Sequence, residues 1–150
     1  MKQLTIVPYT APDFPDWKEM ALRLFKDYPA DEVERGLKTI LEKSNQQTFM
    51  AKEAGAAVGF VSTSLRVDYV EGSTTSPVGY VDMIYVKEPY RKHGLARKLF
   101  DQAEVWAKEK GCTEMGSDTW LWNKDAQQFH EKIGFRKEDV LVHYIKTIKE

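Results

Sequence analysis

Val81-Asp82-Met83-Ile84-Tyr85-Val86 is followed, four residues on, by Arg91-Lys92-His93-Gly94-Leu95-Ala96. The first run is rich in β-branched and aromatic residues and reads as a strand. After the second run, Leu95, Leu99, Ala103 and Trp106 recur at helical spacing, so a helix with one apolar face follows. The two are joined by a basic turn. Gly94 leaves no side chain where a ligand must approach the backbone. The helix start offers unpaired N–H groups and the positive end of its dipole. Strand, basic turn and helix start together fit one phosphate or pyrophosphate. A connection whose Arg91 and Lys92 are merely solvated is the plain alternative. Neither G-x-x-x-x-G-K-S/T nor G-x-G-x-x-G occurs, which argues against a P-loop or a Rossmann dinucleotide site.

Length and composition bound the rest. A chain of 150 residues is most simply one domain, 1–150, able to bury a real core. With a net charge of −1 there is no global field to draw in nucleic acid. Cys112 is the single cysteine, so no intrachain disulfide forms, which fits a reducing compartment. Met1 to Tyr9 lacks a signal peptide's apolar run, and no stretch is apolar enough to span a bilayer. The cytoplasm is the expected location, and no membrane partner and no metal site are expected.

Working outward, Leu4 to Val7 reads as a first strand. Phe14, Trp17, Met20, Ala21, Leu24, Phe25 and Tyr28 fit one amphipathic helix ended by Pro29. Asp31 with Glu34 signals the start of a second helix, with Val33, Leu37, Ile40 and Leu41 on its apolar face. Thr48 to Glu53 and Val58 to Val67 read as strands around an Ala54-Gly55 turn. Tyr69 to Pro77 is a polar loop, longer than a tight hairpin needs. Strand Val78 to Val86, the helix from Gly94 to Lys110, and a strand from Cys112 to Asp118 come next. Asn123 caps a short helix from Lys124 to Lys132. Val140 to Ile148 has strand composition and closes the chain. The class is mixed α/β around a central sheet.

Two segments carry a resemblance. The strand ending Ile84-Tyr85-Val86, Pro89, and Arg91 to Ala96 resemble the acyl-CoA signature of the GCN5-related N-acetyltransferases, Q/R-x-x-G-x-G/A. Asn123 followed by Phe129-His130-Glu131-Lys132-Ile133-Gly134-Phe135 resembles the second conserved segment of that superfamily. A narrower likeness runs from Leu65 to Phe135. Leu65 to Gly72, Ser76 to Tyr80, Gly111 to Glu114 and Ser117-Asp118-Thr119 are similar to the bacterial aminoglycoside 6'-N-acetyltransferases.

The resemblance implies a mostly antiparallel sheet with two splayed strands, flanked by helices. It implies acetyl-CoA as co-substrate. Arg91, Lys92, His93, Gly94, Leu95 and Ala96 would hold its pyrophosphate. Its arm would lie along Ile84, Tyr85 and Val86, with a backbone N–H near Ile84 or Tyr85 as oxyanion donor and Asn123 as a further contact. His130 stands where many members carry a tyrosine that protonates the leaving thiolate. It serves there as proton donor, as a prop for the cofactor, or as neither. Asp82 and Asp118 match acceptor contacts and are expected to orient an ammonium and take its proton. Neither has an obvious cation nearby in the sequence. Asp68 and Glu71 would extend the acidic surface, with a solvated loop as the plain alternative. Trp120 and Trp122 would line an acceptor pocket or pack in a core or interface.

Where the family often has Glu-Gly, this chain has Asp82-Met83. Aspartate is one methylene shorter, and Met83 adds bulk where glycine leaves space. Cys112 has no evident base and is not expected to be a nucleophile. The leading expectation is transfer of acetyl to an aminoglycoside 6'-amine, in a homodimer. The alternatives are a polyamine, a small amine or a protein amine as acceptor, or a non-catalytic acyl-CoA-binding module.

Overall fold

The computed structural model describes residues 3–149. It forms two compact units, one ending at Asp118 and the other beginning at Thr119. The first unit is built on a five-stranded sheet of β1 (Leu4–Pro8), β2 (Gln46–Glu53), β3 (Ala56–Arg66), β4 (Val78–Val86) and β5 (Met115–Ser117), in that spatial order. The first three pairings are antiparallel and the last, β4 with β5, is parallel. Its helices are α1 (Phe14–Leu24), α2 (Ala30–Glu42) and α3 (Leu95–Glu109); α4 (Lys124–Lys132) lies in the second unit.

Helix spacing puts Trp17, Met20 and Ala21 of α1 and Val33 and Leu37 of α2 in one core with Met50, Phe60 and Met83 of the sheet. Phe60 faces this core. Strand alternation turns its neighbour Gly59 the other way, and a Cβ there would lie 3.5 Å from Leu99 Cδ1 of α3. The sheet is therefore covered on both faces, with Leu95, Leu99, Phe100, Ala103, Trp106 and Ala107 of α3 buried. This explains why β3 is buried almost continuously from Ala57 to Thr63 rather than at alternate residues. Its buried hydroxyls are paired: Thr48 Oγ1 with Ser62 Oγ at 2.7 Å, and Thr63 Oγ1 donating to the Tyr80 carbonyl at 2.8 Å.

Three expectations are corrected. Helix α1 stops at Leu24, not at Tyr28, because Phe25 leaves helical backbone at φ −110°, ψ 48°. Phe25 still packs on the core, so the apolar spacing runs on through a turn in which Tyr28 is exposed. Strand β5 is three residues rather than Cys112 to Asp118. The Cys112 N–H bonds back to the Ala107 carbonyl of α3, and the ladder to β4 spans only Met115 to Ser117. Val140 to Ile148 is not a strand. A strand needs a ladder partner, and among the described residues none of the sheet pairings involves this segment. Their apolar side chains are left exposed, Ile145 at 91% and Ile148 at 88%.

Buried Asp13 ties the start of α1 to β2. Its carboxylate accepts from the Thr10 N–H at 2.9 Å and pairs with Lys52 Nζ at 2.7 Å. Burial opposes its charge, but the bonds from Lys52 and Thr10 outweigh burial and hold the carboxyl below its ordinary range. A lowered folded-state pKa stabilises above the unfolded pKa of about 4 and is lost as pH falls through the folded value. Asp13→Asn is expected to lose about 1–3 kcal/mol at pH 7 in urea unfolding. That gap to the wild type should shrink below about pH 4; an equal gap at pH 3 would contradict the assignment.

Candidate functional site

The parallel ladder pairs Gly79 with Met115, Tyr80 with Gly116 and Val81 with Ser117, and then ends. The next positions in that register are Asp82 and Asp118, so both carboxylates stand where the strands part. A bulge makes the parting. On the other side of β4, Ser62 pairs with Met83 and Thr63 with Val81, which leaves Asp82 as the extra residue. Bulges bend a strand and sharpen its twist, and here the bend falls at the last rung to β5. Val81 and Met83 on either side are buried, whereas Asp82 is exposed.

Past the bulge, the alternation of the β3–β4 ladder fixes which N–H groups face the gap. The Lys87 N–H bonds to the Val58 carbonyl, so Val58 with Lys87, and by alternation Phe60 with Tyr85 and Ser62 with Met83, are the hydrogen-bonded pairs. Ile84 and Val86 then direct their backbone groups away from β3. The Val86 carbonyl shows this directly, since it accepts from Arg91 Nε at 2.7 Å. Of the two N–H groups expected as oxyanion donors, that of Ile84 faces away from β3 and that of Tyr85 faces β3. Met83 does not intrude on this gap. It packs with Trp17, Met20 and Phe60 in the core.

The carboxylates have partners that the sequence did not reveal. Asp82 Oδ1 lies 3.1 Å from Arg66 of β3, which corrects the expectation that it has no nearby cation. The same guanidinium stacks 3.5 Å from the centre of the Tyr80 ring. The Tyr80 hydroxyl donates a hydrogen bond to Asp118 Oδ2. Burial first, and the bond to Asp118 second, push the phenol pKa well above its ordinary value, so it stays a donor. Arg66 was hidden because its partner is 16 positions away. The partner of Tyr80 is 38 positions away.

The long loop before β4 is pinned rather than loose. Glu114 Oε1 accepts from the Thr74 and Thr75 N–H groups, each at 2.9 Å, and from the Thr75 hydroxyl. Ser73 Oγ donates to the Val70 carbonyl at 2.6 Å and Ser76 Oγ to that of Val67 at 3.1 Å. Asp68, Glu71 and Tyr69 are exposed on it. Solvation of the first two is consistent with their plain reading.

At the other end of β4, a 3-10 turn over Glu88–Tyr90 leads into the basic segment. Lys92 has φ 65° and Gly94 φ 82°, and Gly94 caps α3. Its carbonyl accepts from the Lys98 N–H at 3.1 Å. The N–H groups of Leu95, Ala96 and Arg97 come before the first intrahelical donor, that of Lys98, and among the described residues no side chain caps the helix start. They open a 15-residue helix, and N–H groups so placed suit an anion. Lys92, His93 and Gly94 are exposed around it, Leu95 is buried and Ala96 half-buried. Arg91 bends back to the Val86 carbonyl, with its guanidinium 5.3 Å from the Tyr85 ring centre, so it braces the turn.

Within the second unit, Asn123 caps α4 as expected, its Oδ1 accepting from the Ala126 N–H at 3.1 Å. His130 is half-buried, with Nδ1 2.6 Å from the Ala126 carbonyl. A carbonyl only accepts, so Nδ1 carries a proton. The ring then gives up a proton from Nε2 only in its imidazolium form. Trp120 and Trp122 are 57% and 73% exposed, which excludes core packing within that unit. Cys112, in the first unit, is buried, and burial raises its thiol pKa, which keeps it protonated and inert.

Known proteins resemble this chain in sequence and fold. The model of the acetyltransferase (GNAT) family matches residues 9–135. The aminoglycoside N(6')-acetyltransferase type 1 of Acinetobacter haemolyticus is 34% identical over 145 residues, covering 97% of this chain and 99% of that protein. Its counterpart from Serratia marcescens is 35% identical over 133 residues, covering 88% and 91%. Among solved structures, AAC(6')-Iy in complex with the bisubstrate analogue CoA-S-monomethyl-acetylneamine superposes with a TM-score of 0.89 at 30% identity. That match covers 98% of this chain and all of the other. The chain belongs to the acetyltransferase (GNAT) family, and the relatives it matches there are aminoglycoside 6'-N-acetyltransferases.

Proposed function

We propose that the protein is an acetyl-CoA-dependent aminoglycoside 6'-N-acetyltransferase that confers aminoglycoside resistance. The observation that carries this reading is the pair Asp82 and Asp118 at the parting of β4 and β5, with an anion-binding helix start beyond the far end of β4. The curated relatives bear that enzyme name, and a solved relative holds a CoA–aminoglycoside analogue. The family match runs across both compact units, which supports a single catalytic domain over 1–150.

Acetyl-CoA is assigned to the edge that β4 opens beyond Val81. Its pyrophosphate takes the N–H groups at the start of α3, with the charge of Lys92 and the side chain of His93 close by. Its thioester carbonyl takes the Ile84 N–H, which stabilises the oxyanion as the carbonyl carbon becomes tetrahedral. Val86 and Tyr85 flank the arm, and Asn123 is a further contact. The acceptor arrives as an ammonium and binds the carboxylates of Asp82 and Asp118 through charge-assisted hydrogen bonds. Asp68 and Glu71 add longer-range attraction for a polycation, and Trp120 offers a ring face to a sugar. One ammonium proton passes to a carboxylate, directly or through water. The amine nitrogen bonds the carbonyl carbon and the C–S bond breaks. Nitrogen loses its second proton to solvent, and the CoA thiolate takes one in return, for which the resemblance makes His130 the candidate donor. No covalent enzyme intermediate is involved, since Cys112 is buried and protonated.

The acting form is proposed to be a homodimer in the cytoplasm. Among the described residues the β-forming, exposed segment 140–148 has no ladder partner, and it gains one by pairing with a second copy. Among the described residues, no helix is long and apolar enough to cross a membrane.

Steady-state assays with acetyl-CoA and tobramycin or kanamycin are expected to show turnover that spermidine does not match. Asp118→Asn should raise the aminoglycoside KM by about tenfold, the worth of one charge-assisted hydrogen bond, and leave the acetyl-CoA KM near its original value. Turnover with spermidine alone would overturn the acceptor assignment. Light scattering should give a dimer for the full chain and a monomer for a chain ended at Asp139. A full-length monomer would refute the pairing.

A further inference from the structure

We propose that Tyr80 is a positioning residue for the acceptor, its phenol fixing the Asp118 carboxylate in the orientation that receives an ammonium. This rests on the reading of Asp118 as an acceptor contact and adds a residue that no part of that reading requires.

Asp118 is poorly held by its own backbone. It follows the last residue of β5, lies outside the ladder and is exposed. A carboxylate there is expected to sample several rotamers, and an acceptor would have to stop that motion on binding. The phenol removes the need. Its hydroxyl donates to Asp118 Oδ2, which leaves the other oxygen and the remaining lone pairs for a cation.

Tyr80 is itself held from several sides. Its side chain is buried, the residue being 7% exposed. Its carbonyl is bonded by Thr63. The Arg66 guanidinium lies 3.5 Å from its ring centre. Gly116, its ladder partner on β5, lets the ring lie so close that a Cβ there would come within 2.8 Å of Tyr80 Cδ2. Arg66 also reaches Asp82, so one guanidinium and one phenol join the two carboxylates. A phenylalanine would fill the same space, keep the cation stack and satisfy the burial. The hydroxyl is the part that packing does not explain.

Tyr80→Phe isolates it. The variant is expected to raise the aminoglycoside KM about fivefold while the acetyl-CoA KM and the melting temperature stay near wild type. Combined with Asp118→Asn, it should add nothing to the KM increase of Asp118→Asn alone, because both remove one interaction. A wild-type aminoglycoside KM in Tyr80→Phe, beside a raised one in Asp118→Asn, would overturn the role of Tyr80 and leave that of Asp118 standing. Additive effects in the double variant would also overturn it. If Asp118→Asn left the aminoglycoside KM unchanged, the acceptor reading of Asp118 would fall, and this proposal with it. A Tyr80→Phe variant with both KM values raised together would mark the residue as structural only.

Discussion

Beyond Val81, β4 keeps β3 on one side and has no ladder to β5 on the other. Backbone groups on a strand edge that lacks a ladder take their hydrogen bonds from side chains, water or a ligand, as the Val86 carbonyl does from Arg91. The bulge at Asp82 bends the strand at that rung, and the start of α3 places unpaired N–H groups beyond the strand's far end. The packing around β4 supports this geometry. Met83 and Phe60 anchor one face under α1 and α2, and the buried side of α3 closes on the other.

The two ends of the opening have opposite character. One is a helix start with Lys92 and His93 around it; the other is a pair of carboxylates. A net charge of −1 conceals this division, because the whole-chain sum averages the two. An anionic donor and a cationic acceptor are the reactants such an arrangement sorts without a metal or a covalent step in the proposed reaction. Arg66 tempers the acidic end. An exposed pair such as Arg66–Asp82 is worth little by itself, but it sets the orientation of Asp82 and lies over the Tyr80 ring.

Much of this was legible in the sequence because it is local. The span of β4, the Asn123 cap, α4 and the turn at Gly94 each depend on residues within a few positions of one another. What the sequence hid is pairwise and distant. Arg66 meets Asp82 across a strand pair, and Tyr80 meets Asp118 across 38 positions. The bulge is a feature of register, so no residue type announces it. The departure at Met83 looked like bulk in the acceptor space and is core packing instead. Val140 to Ile148 was misread for a different reason. Composition gives β propensity, but a strand exists only where a neighbour completes its ladder.

The central claim is that two different ligands occupy the two ends of one opened strand. Amide chemical shifts of the 15N-labelled protein test it most directly. Coenzyme A alone is expected to shift Leu95, Ala96, Arg97 and Ile84. Tobramycin, added to that complex, should shift Asp82 and Asp118 and leave the α3 start in place. Tobramycin shifts confined to residues away from Asp82 and Asp118, or coenzyme A shifts that miss the start of α3, would contradict the account.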